Sequence, residues 1–124
     1  MCGIAGIISF REDAQELHRI DEATDCLAKR GPDDRGVFTD KNVALGHRRL
    51  SIIDTSHGAV QPMSDATGRY QIIFNGEFFN YAGYRNLLKE EGVSFRTESD
   101  TEVLLALYIK HGSSFLQFVN GFFA

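Results

Sequence analysis

The sequence has no long apolar run, so nothing in it reads as a membrane span, and its start, MCGIAGIISFREDAQ, has no basic leader and turns charged by Arg11. A cytoplasmic protein is expected. It also has no basic cluster: the 13 Lys and Arg are scattered among 17 Asp and Glu, for a formal net charge of -4. That pattern argues against a nucleic-acid or membrane-surface partner and leaves small molecules as the expected ligands. Cysteine is scarce. Cys2 and Cys26 could pair, but a lone disulfide is not expected in a reducing compartment, so they are read as two free thiols. Neither GxGxxG nor GxxxxGK[ST] occurs, which removes the usual phosphate-binding loops, and no nucleotide or other cofactor is expected in this segment. His18, His47, His57 and His111 lack metal-ligand spacing, so no metal site is expected. They are assigned structural roles, as is Cys26, which falls on the apolar face of its predicted helix. Repeats, low-complexity stretches and linkers are absent too.

What is present suits one globular domain: 124 residues, 43% hydrophobic and 24% charged, enough to bury an ordinary core. Gly3 to Phe10 is short and rich in Ile, which predicts a buried strand that would anchor residue 2. From Ala14 to Lys29, Leu17, Ile20, Ala23, Leu27 and Ala28 recur at helical spacing until Arg30-Gly31-Pro32 stops the pattern. Gly36 to Thr39 and Val43 to His47 flank a turn at Asp40-Lys41-Asn42, and Tyr70 to Phe74 predicts a further strand. Helices are predicted over Tyr81 to Glu91 and Asp100 to Lys110, the second with Val103, Leu104, Leu107 and Tyr108 on one face and Thr97 or Ser99 as cap. The end, Val119 to Ala124, is strand-like and has no polar tail, as if a sheet were unfinished and the domain cut short. Strands interleaved with helices predict a layered α/β (α+β) fold with largely antiparallel sheets. An isolated fragment of this length is expected to fold poorly, with its last strand as an exposed apolar edge.

Chemistry begins at Cys2. If Met1 is trimmed, the thiol sits beside a free α-amine, which titrates near neutral pH and can take the proton of the nucleophile on its own residue. A thiol needs less activation than a hydroxyl, so no His partner is required. On position alone, Cys2 reads equally well as a small residue after the initiator Met.

Further segments change that balance. With MCGIAGI they are Arg30-Gly31-Pro32-Asp33, Gly46-His47-Arg48-Arg49-Leu50-Ser51-Ile52-Ile53-Asp54, Gln61-Pro62-Met63, Asn75-Gly76-Glu77-Phe78-Phe79-Asn80-Tyr81 and Ser99-Asp100-Thr101-Glu102. In this order they resemble the class II glutamine amidotransferases, whose nucleophile is N-terminal, and within them the glutamine-hydrolysing asparagine synthetases. The resemblance runs over all 124 residues and is specific as a set, although each segment alone is weak. It implies the four-layer αββα sandwich of N-terminal-nucleophile hydrolases, and makes residues 1–124 the N-terminal portion of a type-2 glutamine amidotransferase domain.

The resemblance also implies roles. Cys2 is the nucleophile, with Asn75 and Gly76 as oxyanion donors through the Asn side-chain amide and the Gly backbone N–H. Without it, Asn-Gly is equally a two-residue hairpin turn. Arg49 would receive the glutamine carboxylate and Asp100 its ammonium, with Arg48 in the variable slot of His-x-Arg-Leu-Ser. Alone, Arg49 reads as a surface salt-bridging residue and Asp100 as a helix N-terminal charge. Glu77 is implied at the glutamine amine, and Leu50, Ser51, Ile52 and Ile53 line the pocket through backbone groups. Arg30 to Asp33 are implied near the nucleophile but carry no catalytic assignment, since helix termination alone explains Gly31 and Pro32.

The implied activity is hydrolysis of glutamine to glutamate and ammonia through a γ-glutamyl thioester. The ammonia would pass to a C-terminal synthetase domain, not contained in these residues, where ATP and Mg²⁺ activate aspartate. A sugar-modifying or purine-precursor amidotransferase, and a non-catalytic glutamine-binding module, stay open as alternatives. A homodimer stays open as the assembly.

Overall fold

A computed structural model describes residues 2–11, 15–51 and 57–124. Strands β1 (Gly3–Ile8), β2 (Asp34–Asp40) and β3 (Val43–Arg49) form an antiparallel sheet in the order β1-β3-β2. β2 and β3 are joined by the predicted turn. Asp40 pairs with Val43, so Lys41 and Asn42 alone make the corner, and Lys41 takes a positive φ of 24°. Both strands run further than their apolar residues indicate, because the ladder continues through the charged pairs Arg35↔Arg48 and Asp34↔Arg49.

Among the described residues the predicted buried strand lies at an edge of its sheet. β1 pairs with β3, its burial alternates, and Ile8 is 65% exposed, because one face and one edge lack a covering layer among the described residues. The covered face carries a 3-10 turn (Gln15–Arg19) and a short helix, α1 (Ile20–Asp25), whose Leu17 and Ile20 pack on Ala44. The single long helix predicted from Ala14 to Lys29 is thus broken into a 3-10 turn, one short helix and a run of turns; Ala14 itself lies outside the described residues. Arg19, at the start of α1, makes no side-chain capping bond. Cys26 is exposed at the end of α1 rather than on its apolar face, because the helix has already unwound there. Thr24 comes so close to β3 that a Cβ on Gly46 would lie 1.9 Å from its Oγ1.

The other half holds two short sheets and two helices. β4 (Met63–Ser64) pairs with β5 (Gln71–Ile72), and β6 (Gly76–Phe78) pairs with β7 (Gly121–Phe123), both antiparallel. α2 (Tyr81–Glu90) and α3 (Asp100–His111) match the predicted helices to within one residue at their ends. Ser99, not Thr97, caps α3: its side chain accepts the Thr101 N–H at 3.1 Å. Val103, Leu104 and Leu107 join Phe74, Phe78 and Leu88 in the core, whereas Tyr108 is exposed. The expected Tyr70–Phe74 strand shrinks to two paired residues, because Phe74 spends its backbone groups on side chains instead of a ladder. Helices mixed with wholly antiparallel described strands make this an α+β arrangement. No helix of the described residues is long and apolar enough to cross a membrane.

Candidate active site

Cys2 sits where β1 begins beside the end of β3. Gly3 pairs with Arg48, which brings the preceding residue abreast of Arg49 and Leu50. The Leu50 N–H points at Cys2 Sγ from 3.4 Å, and the thiol faces the Leu50 carbonyl at 3.8 Å. Both cysteines are free thiols, as expected.

The Arg30-Gly31-Pro32-Asp33 loop lies across these strand ends. Arg30 Nε donates to the Cys2 carbonyl at 3.1 Å, the Asp33 N–H donates to Arg49 O at 3.0 Å, and Asp33 Oδ2 accepts the Ser51 N–H at 2.8 Å. Gly31 is needed for contact rather than for helix termination: a Cβ there would lie 2.3 Å from the Arg48 carbonyl carbon and 2.5 Å from Arg49 N. Arg30 and Asp33, which carried no assignment, are the residues that tie Cys2, Arg49 and Ser51 together. The quoted motif was their only signal, since long-range bonds to backbone have no sequence period.

Arg49 is buried and ion-paired with Asp34 across the β2–β3 ladder, Nη1 to Oδ2 at 3.2 Å. It is therefore not a surface residue. Arg48, on the opposite face, bonds Asp25 at 2.6 Å and the Thr24 carbonyl at 3.3 Å, which ties the end of α1 to the sheet.

The second group surrounds β6. Asn75 and Gly76 are not a hairpin turn. The chain is extended there, with paired bonds between Asn75 and Ala124 (3.0 and 2.9 Å), and Gly76 lies opposite Phe123, where a Cβ would come 2.2 Å from Phe122 O. The Asn75 side-chain amide makes no hydrogen bond among the described residues, and its Oδ1 is buried without a partner. Glu77 is exposed. Asp100 is buried at the first turn of α3, where its Oδ2 accepts the Phe78 N–H at 3.2 Å. Burial holds its carboxyl above the usual carboxylate range, against the lowering effect of the Phe78 and Thr101 hydrogen bonds. A cation beside it would relieve that desolvation.

The loop leading to Asp100 is clamped from two helices. Arg85 donates to Thr97 O at 2.8 Å and Ser99 O at 2.9 Å, while buried Glu102 accepts the Arg96 and Thr97 N–H groups at 2.9 and 2.8 Å. Between the two groups stands His47, fully buried on β3, with Nε2 donating to Phe74 O at 3.2 Å. Burial lowers its pKa to about 4, with Arg49 adding to that effect. A neutral imidazole that donates from Nε2 is a structural fastener, the role expected of it.

Of the predicted residues, the structure joins Cys2 to Leu50, Ser51 and Arg49 through the Arg30–Asp33 loop, and Asp100 to β6. Ile52 and Ile53 lie outside the described residues. A cavity of about 310 Å³ bounded by Tyr70, Ile72, Phe74, Leu104, Tyr108 and Phe123 is mainly apolar, with no charged side chain in its lining.

The described residues thus place a thiol at the start of the N-terminal strand, a buried arginine at the end of β3 and a buried carboxylate at the start of α3. Comparison with known proteins gives the family: the glutamine amidotransferase domain profile matches residues 1–124, and the chain belongs to that family of enzymes. All of the chain aligns with asparagine synthetase [glutamine-hydrolyzing] 3 of Bacillus subtilis at 42% identity and with asparagine synthetase B [glutamine-hydrolyzing] of Escherichia coli at 38%. It aligns at 38% with the amidase chry2 of Gibberella zeae. The chain spans only 20 to 22% of the length of these relatives.

Proposed function

We propose that this domain hydrolyses glutamine to glutamate and ammonia with Cys2 as nucleophile, and that the ammonia serves ATP-dependent asparagine synthesis in a C-terminal synthetase domain. The observation that carries the reading is the seat of Cys2, at the start of an anchored strand and against the Leu50 peptide. The family and the named relatives supply the amide substrate and the acceptor. A four-layer αββα sandwich is the parent architecture we assign, with the three antiparallel sheets as its parts.

In this mechanism the glutamine carboxylate meets the Arg49 guanidinium and its ammonium meets Asp100, with Glu77 assisting at the amine. Leu50 to Ile53 offer backbone groups along the substrate. The Cys2 α-amine, exposed by removal of Met1, takes the thiol proton as sulfur attacks the side-chain carbonyl carbon. Charge develops on the carbonyl oxygen, where the Asn75 amide and the Gly76 N–H receive it. The α-ammonium returns its proton to the departing nitrogen, ammonia leaves, and water then cleaves the thioester. ATP and Mg²⁺ belong to the synthetase domain. Among the described residues no three His, Cys, Asp or Glu side chains converge, so none is assigned to a metal.

Purified protein should have lost Met1 by mass spectrometry and should release ammonia from glutamine. Cys2→Ala should reduce that release by at least about 10³-fold, as expected for loss of a covalent nucleophile. Active protein that retains Met1 would end the terminal-amine mechanism, and glutamine binding without turnover would make the domain a binding module.

A further inference from the structure

Gln61 belongs to a segment with no assigned task, yet it is buried at the junction of both halves of the site. Its Oε1 accepts the Phe74 N–H at 2.5 Å, and its Nε2 donates to Thr101 Oγ1 at 3.1 Å. Its backbone also runs against β2, where a Cβ on Gly36 would lie 2.0 Å from Gln61 O. Phe74 immediately precedes Asn75, and Thr101 immediately follows Asp100. One side chain therefore spans from the residue beside the oxyanion donor to the residue beside the ammonium acceptor.

The Phe74 bonds have a geometric meaning. Gln61 holds the peptide plane on its N-terminal side through N–H, and His47 holds the plane on its C-terminal side through C=O. Two consecutive planes held by buried partners fix the Phe74 dihedrals and so the direction in which the chain enters Asn75, whose side-chain amide makes no bond of its own among the described residues. The donor is thus placed by its backbone neighbours, Phe74 before it and Ala124 across from it, and not by a bond to its side chain.

We propose that Gln61 is a positioning residue that sets the distance and orientation between the Asn75 oxyanion donor and the Asp100 head-group acceptor. The proposal rests on the glutaminase reading above. An oxyanion donor acts in the transition state, and a small misplacement of it lowers turnover far more than substrate binding. Loss of Gln61 should therefore lower kcat and leave KM nearly unchanged.

The test uses the full-length protein, with glutamine hydrolysis and the affinity of the γ-aldehyde analogue of glutamine as parallel readouts. The thiol adds across the aldehyde, with S–C bond formation and transfer of the thiol proton to oxygen, so the new oxygen calls on the same donors without any leaving group. Gln61→Met, similar in length but lacking both bonds, should lower kcat about 10–100-fold and weaken the aldehyde in step, with KM within about threefold. Gln61→Glu keeps an acceptor for Phe74 and lets the Thr101 hydroxyl reorient, so it should recover most of the loss. If Gln61→Met does not fold, Thr101→Val against Thr101→Ser carries the same test: the first should lower kcat about 3–10-fold and the second restore it. Gln61→Met with unchanged kcat, a loss confined to KM, Gln61→Glu no better than Gln61→Met, or Val and Ser equal at 101 would each overturn the proposal. A wild-type protein without glutaminase activity would instead overturn the amidotransferase reading itself.

Discussion

The half of the candidate site around Cys2 and the half around Asn75 and Asp100 are held in different ways. Around Cys2 the chain relies on backbone: six paired positions between β1 and β3, seven between β2 and β3, and a glycine loop pressed against the strand ends. Around Asn75 and Asp100 the strands are two or three residues long, and buried polar side chains take over, namely Gln61, His47, Arg85 and Glu102. Backbone ladders tolerate side-chain change but not steric intrusion. Side-chain clamps behave the other way, because removing one leaves a buried partner unsatisfied.

This contrast can be broken by experiment. In the thiol half the largest effect should come from added volume. Gly31→Ala sets a methyl group against the Arg48–Arg49 backbone, which cannot swing aside, and should cost about 3 kcal/mol in denaturant unfolding. Gly83→Ala, in open space on α2, should instead stabilise by about 0.5–1 kcal/mol. Equal effects at the two glycines would refute the close-approach account.

In the polar half, His47 should give an acid-dependent loss. Its pKa falls from 6.5 to about 4 on folding, so between these values the unfolded chain binds the extra proton. Stability is then full above about 6.5 and falls with pH, by about 3 kcal/mol once below about 4. Arg49 reinforces this shift and Asp34 opposes it. Asp100 has the opposite sign, since its raised pKa makes folding more favourable as pH falls through its own range. Urea midpoints from pH 7 to 4 should show the His47 slope, and His47→Asn should flatten it; an unchanged slope would remove His47 as its source. The cap is the smaller loss in this half. Ser99→Ala should cost about 1 kcal/mol, and no change in midpoint would show that Arg85 and Glu102 hold the start of α3 without it.

Several features were readable in advance because their causes are local. The Asp40–Asn42 turn, the ends of α2 and α3, and the Ser99 cap each depend on a few adjacent residues. The long first helix was misread for a related reason: Leu17, Ile20, Ala23 and Leu27 have helical spacing, but a periodic stripe does not say where the helix will unwind. Cys26 was placed inside on that stripe and proved exposed. Asn75-Gly76 carries an ordinary turn signal, and only pairing with a strand some 45 residues later makes it extended, as the register of Gly76 with Phe123 records.

Residue order alone therefore determined the family, the nucleophile candidate, the mixed α+β class and the identity of the residues worth watching, because these reside in motifs and short-range periodicity. Tertiary structure alone decided that β1 is an edge among the described residues, that Gly31 is a contact glycine, and that Gln61 and His47 share Phe74. Those facts depend on groups 13 to 45 positions apart that meet only in the folded chain. No local pattern encodes such meetings, because each partner is satisfied only when the others are already in place.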